Sequence, residues 1–386
     1  MFNLFKNFSG GDGKATQRPN IVMILLDQFR NDAREVHPIF ARLAEEGVLF
    51  ERAITYAPYT LASVHATFTG MYGRQNGVDA YTKSDQYDQK NCMSLPEYLK
   101  SAGYYTRGYS FSSILFPHAG FDSLKILSEK EETDTAAHHA EEIEHCFKQD
   151  KPFFCYLHYG EIHHAVLREV IRKYGDFDPA YFENLEANRR RYRQYAEKAG
   201  NYTEKMFALV NSLDKKNKTL FILLTDHGAS NGEKAGEKAY GIYTYDYSIC
   251  VWCYMIWPQR FPKNKIIPYQ VRTIDILPTL TDLLQIEPKK NKKRVQGTSL
   301  LPVIDGLESC DRLAFSETGG VDGPHPSPSE PNIKCIRDGE WKLIYNTTTN
   351  AFEMYNLKED PAETDNLYLK NPEKAKQLWE QMVEFL

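Results

Sequence analysis

The chain has 386 residues, of which 42% are apolar and 26% charged, ordinary proportions for a globular protein with room for one large α/β domain and an appendage. A formal charge of -5 leaves no electrostatic footprint for nucleic acid, and no run of about 18 apolar residues is present to span a membrane. Seven cysteines, an odd number scattered through apolar or mixed contexts, do not read as a disulfide framework and favour a cytoplasmic protein.

Residues 1–18 read as a flexible leader, polar and Gly-rich at its end and without the apolar core of a signal peptide. Phe2, Phe5 and Phe8 in it offer at most a weak membrane-surface contact. "NIVMILLDQFR" (20–30) follows, an apolar run that stops abruptly at Asp27. Such a run suits a strand buried on both faces of a parallel sheet, with its carboxyl end opening onto a loop where α/β proteins gather ligands.

Helical patterning occupies roughly 37–46, 61–70, 94–102, 135–148 and 178–213. Two more strand-like runs, "KPFFCYLHYGEIHH" (151–164) and "KTLFILLTDHGASNGE" (218–233), end in acidic and histidine residues. Strands alternating with helices predict a large, mainly parallel sheet sandwiched by helices. "CVWC" (250–253) has a redox-like spacing but sits in an apolar run, so buried thiols are the better reading. "RRRYR" (189–193) and "KKNKK" (289–293) read as a solvated helix face and a solvated loop.

After "VRTIDILPTLTDLLQI" (271–286), a helix entered near Ile276 and Pro278, composition shifts to a Gly/Pro/Ser loop at 319–331 and a small antiparallel sheet over 333–357. A last helix closes the chain. The expected division is a leader (1–18), a large α/β domain (19–310) and a C-terminal subdomain (311–386). The sequence carries no signal for the oligomeric state.

Asp27, Gln28, Asp226 and His227 offer three hard oxygens and an imidazole, donors that suit one divalent cation such as Mn, Zn, Ca or Mg. Each alone also fits a cap or a solvated loop, and spacing does not show that they meet. Thr60, in "APYTLASVHATFTG" (57–70), fits a helix N-cap. Beside a cation at a helix N-terminus, its hydroxyl also fits a nucleophile for a phosphorus or sulfur centre.

"PNIVMILLDQFRND", "YTLASVHATFTGMYGRQNGV", "LLTDHGASNGE", "VRTIDILPTLTDLLQI" and "RDGEWKLIYNTTTNAFEMYNLKEDPAETDNL" occur in the order seen in the sulfatase family of the alkaline phosphatase superfamily, which the chain resembles over about residues 19–370. The resemblance implies a metal at the edge of the large sheet, with Asp27, Gln28, Asp226, His227 and Thr60 around it and Thr60 at the nucleophile position. Sulfatases carry there a Cys or Ser that is oxidised to formylglycine, within Cys-x-Pro-Ser-Arg. This chain keeps Ser63 but has Ala62 and Val64 in place of the proline and arginine. A threonine cannot become an aldehyde, because its carbinol carbon already bears a methyl group.

Thr60 therefore resembles the unmodified threonine of phosphoryl-transferring branches of the superfamily, which implies a covalent phospho-threonine. By the same resemblance His163 contacts the transferred group or protonates the leaving oxygen, with His164 beside it and Glu161 where relatives often have Asp. Lys238 falls near a catalytic lysine, with Lys234 as its competitor. His65 reads as packing. The Gly-Lys-x-His element of sulfatases is missing from "GYYTRGYSFSS" (103–113), where Tyr109 and Ser112 are candidate neutral donors to substrate.

The expectation is a metal-dependent hydrolase or transferase of phosphodiesters or phosphonate esters, on a small-molecule, glycan or lipid-headgroup substrate. The alternatives are a sulfatase without formylglycine and a catalytically silent binding protein of the same fold.

Overall fold

A computed structural model describes residues 18–127, 134–287, 293–319 and 330–386. Residues 1–17 of the leader with its phenylalanines, most of the basic run at 289–293 and most of the Gly/Pro loop at 319–331 lie outside the described residues. Twelve strands form two sheets among the described residues. Eight belong to the large one: β1 (Asn20–Leu26), β2 (Val48–Ile54), β3 (Tyr105–Ser110), β4 (Ser123–Ile126), β5 (Phe153–Tyr159), β6 (Thr219–Thr225), β7 (Cys250–Ile256) and β8 (Lys265–Arg272). Their order is β4-β3-β5-β1-β6-β7-β2-β8.

β4, β3, β5, β1 and β6 run parallel, β7 is antiparallel to β6 and β2, and β8 pairs parallel with β2. The mainly parallel sheet expected from the apolar runs is present, with β7 as its reversed strand. β1 lies between β5 and β6, and all three strands that end in polar residues are neighbours at the sheet centre. Alternation along β1 feeds two cores. Val22, Ile24 and Leu26 pack against the helices Pro38–Glu46, Thr135–Phe147 and Leu185–Leu213. Ile21, Met23 and Leu25 pack on the opposite face against Thr60–Thr69, Leu95–Ser101 and Ile276–Leu283.

The second sheet holds β9 (Ala314–Thr318), β10 (Ile333–Asp338), β11 (Trp341–Asn346) and β12 (Ala351–Asn356), antiparallel in the order β12-β11-β10-β9. Ile336, Leu343 and Met354 join Ala375, Leu378 and Met382 of the last helix, Pro372–Val383, in a core shared with Tyr56, Tyr59 and Leu61. That core backs the start of the helix Thr60–Thr69 and so fixes Thr60 relative to the sheet edge. The cysteines are all free thiols, with Cys250 and Cys253 buried in β7. Arg189, Arg190 and Arg193 lie on the exposed side of the long helix while Tyr192 is buried.

Candidate metal centre and nucleophile

β1 delivers Asp27 one residue past its end, and β6 delivers Asp226 and His227 in the same way. One ligand atom from each of these three buried residues lies within 4.8 Å of the others. His227 Nε2 is 3.5 Å from Asp27 Oδ1 and 3.6 Å from Asp226 Oδ2. Local bonds aim these atoms. His227 Nδ1 is 2.7 Å from the Gly228 carbonyl, which places the hydrogen on Nδ1 and leaves the Nε2 lone pair facing the carboxylates in the neutral ring. Asp226 Oδ1 accepts the backbone N–H of Gln28 at 3.1 Å and of His227 at 2.9 Å. Its Oδ2 is buried and has no hydrogen-bond partner.

Gln28 stands in the left-handed region, with φ of 63°, a conformation uncommon for a side chain of its kind. Its backbone is pinned on both sides, N–H to Asp226 and C=O to the Tyr192 hydroxyl at 2.7 Å. Both polar atoms of its side chain are buried without a hydrogen-bond partner. Strain together with orphaned buried polar atoms is what a side chain awaiting a ligand would show. Two carboxylates, an amide oxygen and an imidazole fit a hard or borderline divalent cation. Arg30 then ties the two loops together, donating to the Ala229 carbonyl and pairing with Asp32 and Glu233.

Thr60 is the first residue of the helix Thr60–Thr69, and Tyr59 occupies the N-cap position with no side-chain cap bond. The capping role expected for Thr60 is thereby corrected: one position inside the helix, its hydroxyl points at the cluster instead. Oγ1 lies 3.4 and 3.3 Å from the two oxygens of Asp27 and 3.3 Å from His227 Nε2. Ser63, one turn on, donates to the Asp226 carbonyl at 2.8 Å and sits 2.7 Å from Thr55 Oγ1, locking helix to strand end. His65 packs, bonding its own helix at the Leu61 carbonyl, and burial pushes its pKa down to about 4.

The other expected residues are distributed unevenly. The run 151–164 splits, with β5 ending at Tyr159 and Glu161–Val166 forming a short helix. His163 and His164 on that helix both lie against the Phe111 ring, at 5.7 and 4.8 Å between centroids. Glu161 turns away to Thr135. Lys238 is held elsewhere: its ammonium pairs with Asp176 at 2.9 Å and donates to the Tyr174 carbonyl at 3.0 Å. Lys234 donates to the Glu363 carbonyl and lies over the Tyr245 ring.

Tyr109 belongs to the core on the other face of the sheet, its ring edge-on to His139 at 4.4 Å. Ser112 is half-buried and meets Ser110 Oγ through its backbone. For Tyr109 the physical reason is strand parity: its neighbour Ser110 points the opposite way, toward the cluster.

Two residues were missed by sequence reasoning. His158 on β5 is fully buried, with Nε2 3.2 Å from Asp27 Oδ2 and Nδ1 3.3 Å from Ser110 Oγ. Burial pushes its pKa down to about 4, so it meets Asp27 as a neutral ring at physiological pH. Its signal was available: a lone histidine among "FFCYLHY", at the same parity as Phe154 and Tyr156, faces the helix that carries Thr60. Tyr240, whose ring lies 5.0 Å from that of His227, comes from an irregular loop that offers no period to read.

The Sulfatase family model matches residues 19–286, and a model of the N-sulphoglucosamine sulphohydrolase C-terminal region matches 239–386. Among curated relatives, the choline-sulfatase of Rhizobium meliloti (strain 1021) is 26% identical across 50% of this chain and 36% of its own length. The uncharacterized sulfatase YidJ of Escherichia coli (strain K12) is 24% identical across 84% of this chain and 76% of its own. The chain thus spans little more than a third of the choline-sulfatase's length. Among solved structures, the phosphonate monoester hydrolase of Agrobacterium radiobacter superposes with a TM-score of 0.75 at 18% identity, covering 95% of this chain and 96% of that one. A protein solved in complex with its substrate D-glucosamine-2-N,6-O-disulfate also gives 0.75 at 18% identity, covering 96% and 97%.

At these identities the superpositions speak for the fold alone, but the family model spans most of the chain. The chain belongs to the sulfatase family of the alkaline phosphatase superfamily.

Proposed function

We propose that the protein is a metal-dependent phosphoesterase or phosphoryl transferase that uses Thr60 as its nucleophile. The observation that carries this reading is the Thr60 hydroxyl at 3.3–3.4 Å from Asp27 and 3.3 Å from His227 Nε2, at the first turn of a helix. Asp27, Gln28, Asp226 and His227 would hold a divalent cation with Thr60 as a further oxygen. Such an ion supplies charge neutralisation at the transferred group and eases ionisation of a nearby hydroxyl.

The rest is done by the chain. Thr60 Oγ1 donates toward the Asp27 carboxylate, which gives its proton a way off the nucleophile as Oγ1 bonds to phosphorus. The ester P–O bond breaks on the far side, and an aryl leaving group departs as phenolate. Water or an acceptor hydroxyl then resolves the phospho-threonine, which decides between hydrolase and transferase. His158, itself held by Ser110, holds Asp27 from behind, and Ser63 holds the Asp226 backbone. The helix Thr60–Thr69 directs backbone N–H groups and its positive end at the anion.

A threonine that cannot form an aldehyde supports a phosphorus centre, and the missing Gly-Lys-x-His element supports a diester or phosphonate ester. The second reading, a sulfatase working without formylglycine, draws on the sulfatases among its relatives. Seven free cysteines support a reducing, cytoplasmic setting, and among the described residues no helix is long and apolar enough to cross a membrane. The test is hydrolysis of bis(p-nitrophenyl) phosphate and p-nitrophenyl phenylphosphonate with added Mn or Zn. Thr60→Ala should lower kcat on the order of a thousandfold or more. Undiminished turnover in Thr60→Ala refutes the nucleophile, aryl sulfate turnover above phosphoester turnover selects the second reading, and failure to bind any divalent ion selects a silent binding protein.

A further inference from the structure

The polar pair formed by His163 and Tyr240 plays no assigned part in the steps above. His163 lies between two rings, Phe111 and Tyr240, each with its centroid 5.7 Å away. Each of those rings also touches an imidazole of the cluster: Tyr240 lies 5.0 Å from His227, and Phe111 lies 4.7 Å from His158. His163 is therefore one ring removed from the cluster on two sides. Its Nδ1 is 3.3 Å from the Tyr240 hydroxyl.

Burial first, then the neighbouring His164 and His227, push the pKa of His163 down to about 3. At physiological pH the ring is neutral, so one nitrogen carries the hydrogen and the other a lone pair. Of the two ways to hydrogen-bond a phenol to a neutral imidazole, O–H to N is favoured, because the ring nitrogen is the better acceptor and the phenol the better donor. With Nδ1 accepting, the ring's own hydrogen sits on Nε2.

The loop that carries Tyr240 is braced to hold this geometry. Glu237, fully buried, accepts the backbone N–H of Ile242 at 3.0 Å and of Tyr243 at 3.1 Å, and the Tyr247 hydroxyl.

We propose that Tyr240 is a positioning residue that fixes His163 in its Nε2–H tautomer, so that His163 offers a neutral hydrogen bond to the oxygens of an ester seated on Thr60. The proposal rests on the reading of the site given above, and it names a group that sequence reasoning passed over in favour of the lysines beside it. A fixed neutral donor stabilises charge developing on a phosphodiester or phosphonate oxygen without requiring the second negative charge of a monoester.

Tyr240→Phe keeps the ring against His227 and removes only the hydroxyl, which separates the hydrogen bond from packing. The zinc-loaded protein, labelled with nitrogen-15 histidine, should show His163 as the Nε2–H tautomer in the wild type and a shift toward Nδ1–H in Tyr240→Phe. With bis(p-nitrophenyl) phosphate, Tyr240→Phe should lower kcat about tenfold, the worth of one hydrogen bond, with KM within about twofold. In a His163→Gln background the same change should cost nothing further. An Nδ1–H tautomer in the wild type, unchanged nitrogen shifts in Tyr240→Phe, or an undiminished tenfold loss in the His163→Gln background would each overturn the proposal. If the wild type turns over no ester, the reading of the site fails separately, and the nitrogen shifts alone decide whether Tyr240 sets the tautomer.

Discussion

Two carboxylate pairs among the described residues are neutralised in opposite ways. At the seam between the sheets, Asp246 and Glu363 meet Lys342 at 3.0 and 2.8 Å, and Arg337 reaches Asp246 at 2.9 Å. Burial, which disfavours the Lys342 charge, is outweighed by Asp246 and Glu363, and the ammonium is held above its ordinary pKa. Two anions and two cations there close their own account. At the strand ends, Asp27 and Asp226 meet instead a threonine hydroxyl, imidazole nitrogens and backbone N–H groups. A buried oxygen of Asp226 is left with no hydrogen bond. The first arrangement sets its carboxylates against lysine and arginine of the chain itself, whereas the second brings no lysine or arginine to them among the described ion pairs, as the cation site proposed above would require.

The comparison is broken most directly by substitutions that should move stability in opposite directions. Lys342→Met strands Asp246 and Glu363 beside one remaining cation and should cost about 3–5 kcal/mol in urea or guanidinium unfolding, with turnover per folded molecule retained. Asp226→Asn keeps an oxygen for the two backbone N–H groups and removes one of two close anions. The metal-free protein should then be no less stable than the wild type, while the stabilisation by metal, about 2.7 kcal/mol at a hundredfold excess over Kd, should vanish. A metal-free Asp226→Asn protein as destabilised as Lys342→Met would mean that the strand-end carboxylates are also a self-contained structural network.

Glu237 supplies a third case, a buried carboxyl held by two backbone N–H groups and the Tyr247 hydroxyl, and it sharpens the comparison through pH. Burial raises its pKa from 4.5 to about 7 against the opposing hydrogen bonds from Tyr247, Tyr243 and Ile242. Because the folded value lies above the unfolded one, this contribution to stability is complete below about pH 4.5 and is lost as pH rises toward 7. The loss is on the order of 3 kcal/mol across that window. Glu237→Gln should flatten that slope in unfolding free energy measured against pH. A slope that survives the substitution would show that another group carries it.

What the sequence disclosed follows the periodic parts of the molecule. Apolar runs ending in Asp27 and in Asp226-His227 located the central strands and three side chains that cluster, because a buried parallel strand is legible as an unbroken run and its end as an abrupt polar residue. Parity decided the next level, and there one residue is the whole difference: Tyr109 lies in the opposite core while Ser110 meets His158. His158 was passed over although its parity was readable, because a single histidine inside an apolar strand reads first as core. The loop 228–245 has no period, so nothing in its sequence ranks Tyr240 above Lys234 or Lys238 as the group beside His227. The Thr60 capping expectation erred by one position, since propensity alone does not distinguish an N-cap from the first helical residue.

Lys238 provides the smallest test and the one that separates a latch from a catalyst. Its ammonium joins the loop that carries Tyr240 to the segment at Tyr174 and Asp176, and Asp176 is 41% exposed, so water screens the pair. An exposed pair of this kind is worth about 1 kcal/mol or less. Lys238→Ala should therefore lower unfolding free energy by no more than that and change kcat by a few fold at most, with any effect falling on KM through the loop. A lysine that touched the transferred group would stabilise charge formed only in the transition state, and its removal would cost on the order of a hundredfold or more in kcat with KM little changed. Steady-state kinetics of Lys238→Ala beside Tyr240→Phe thus asks which of two residues in one loop serves the chemistry: a larger kcat loss in Lys238→Ala would require the loop to rearrange when substrate binds, releasing Lys238 from Asp176.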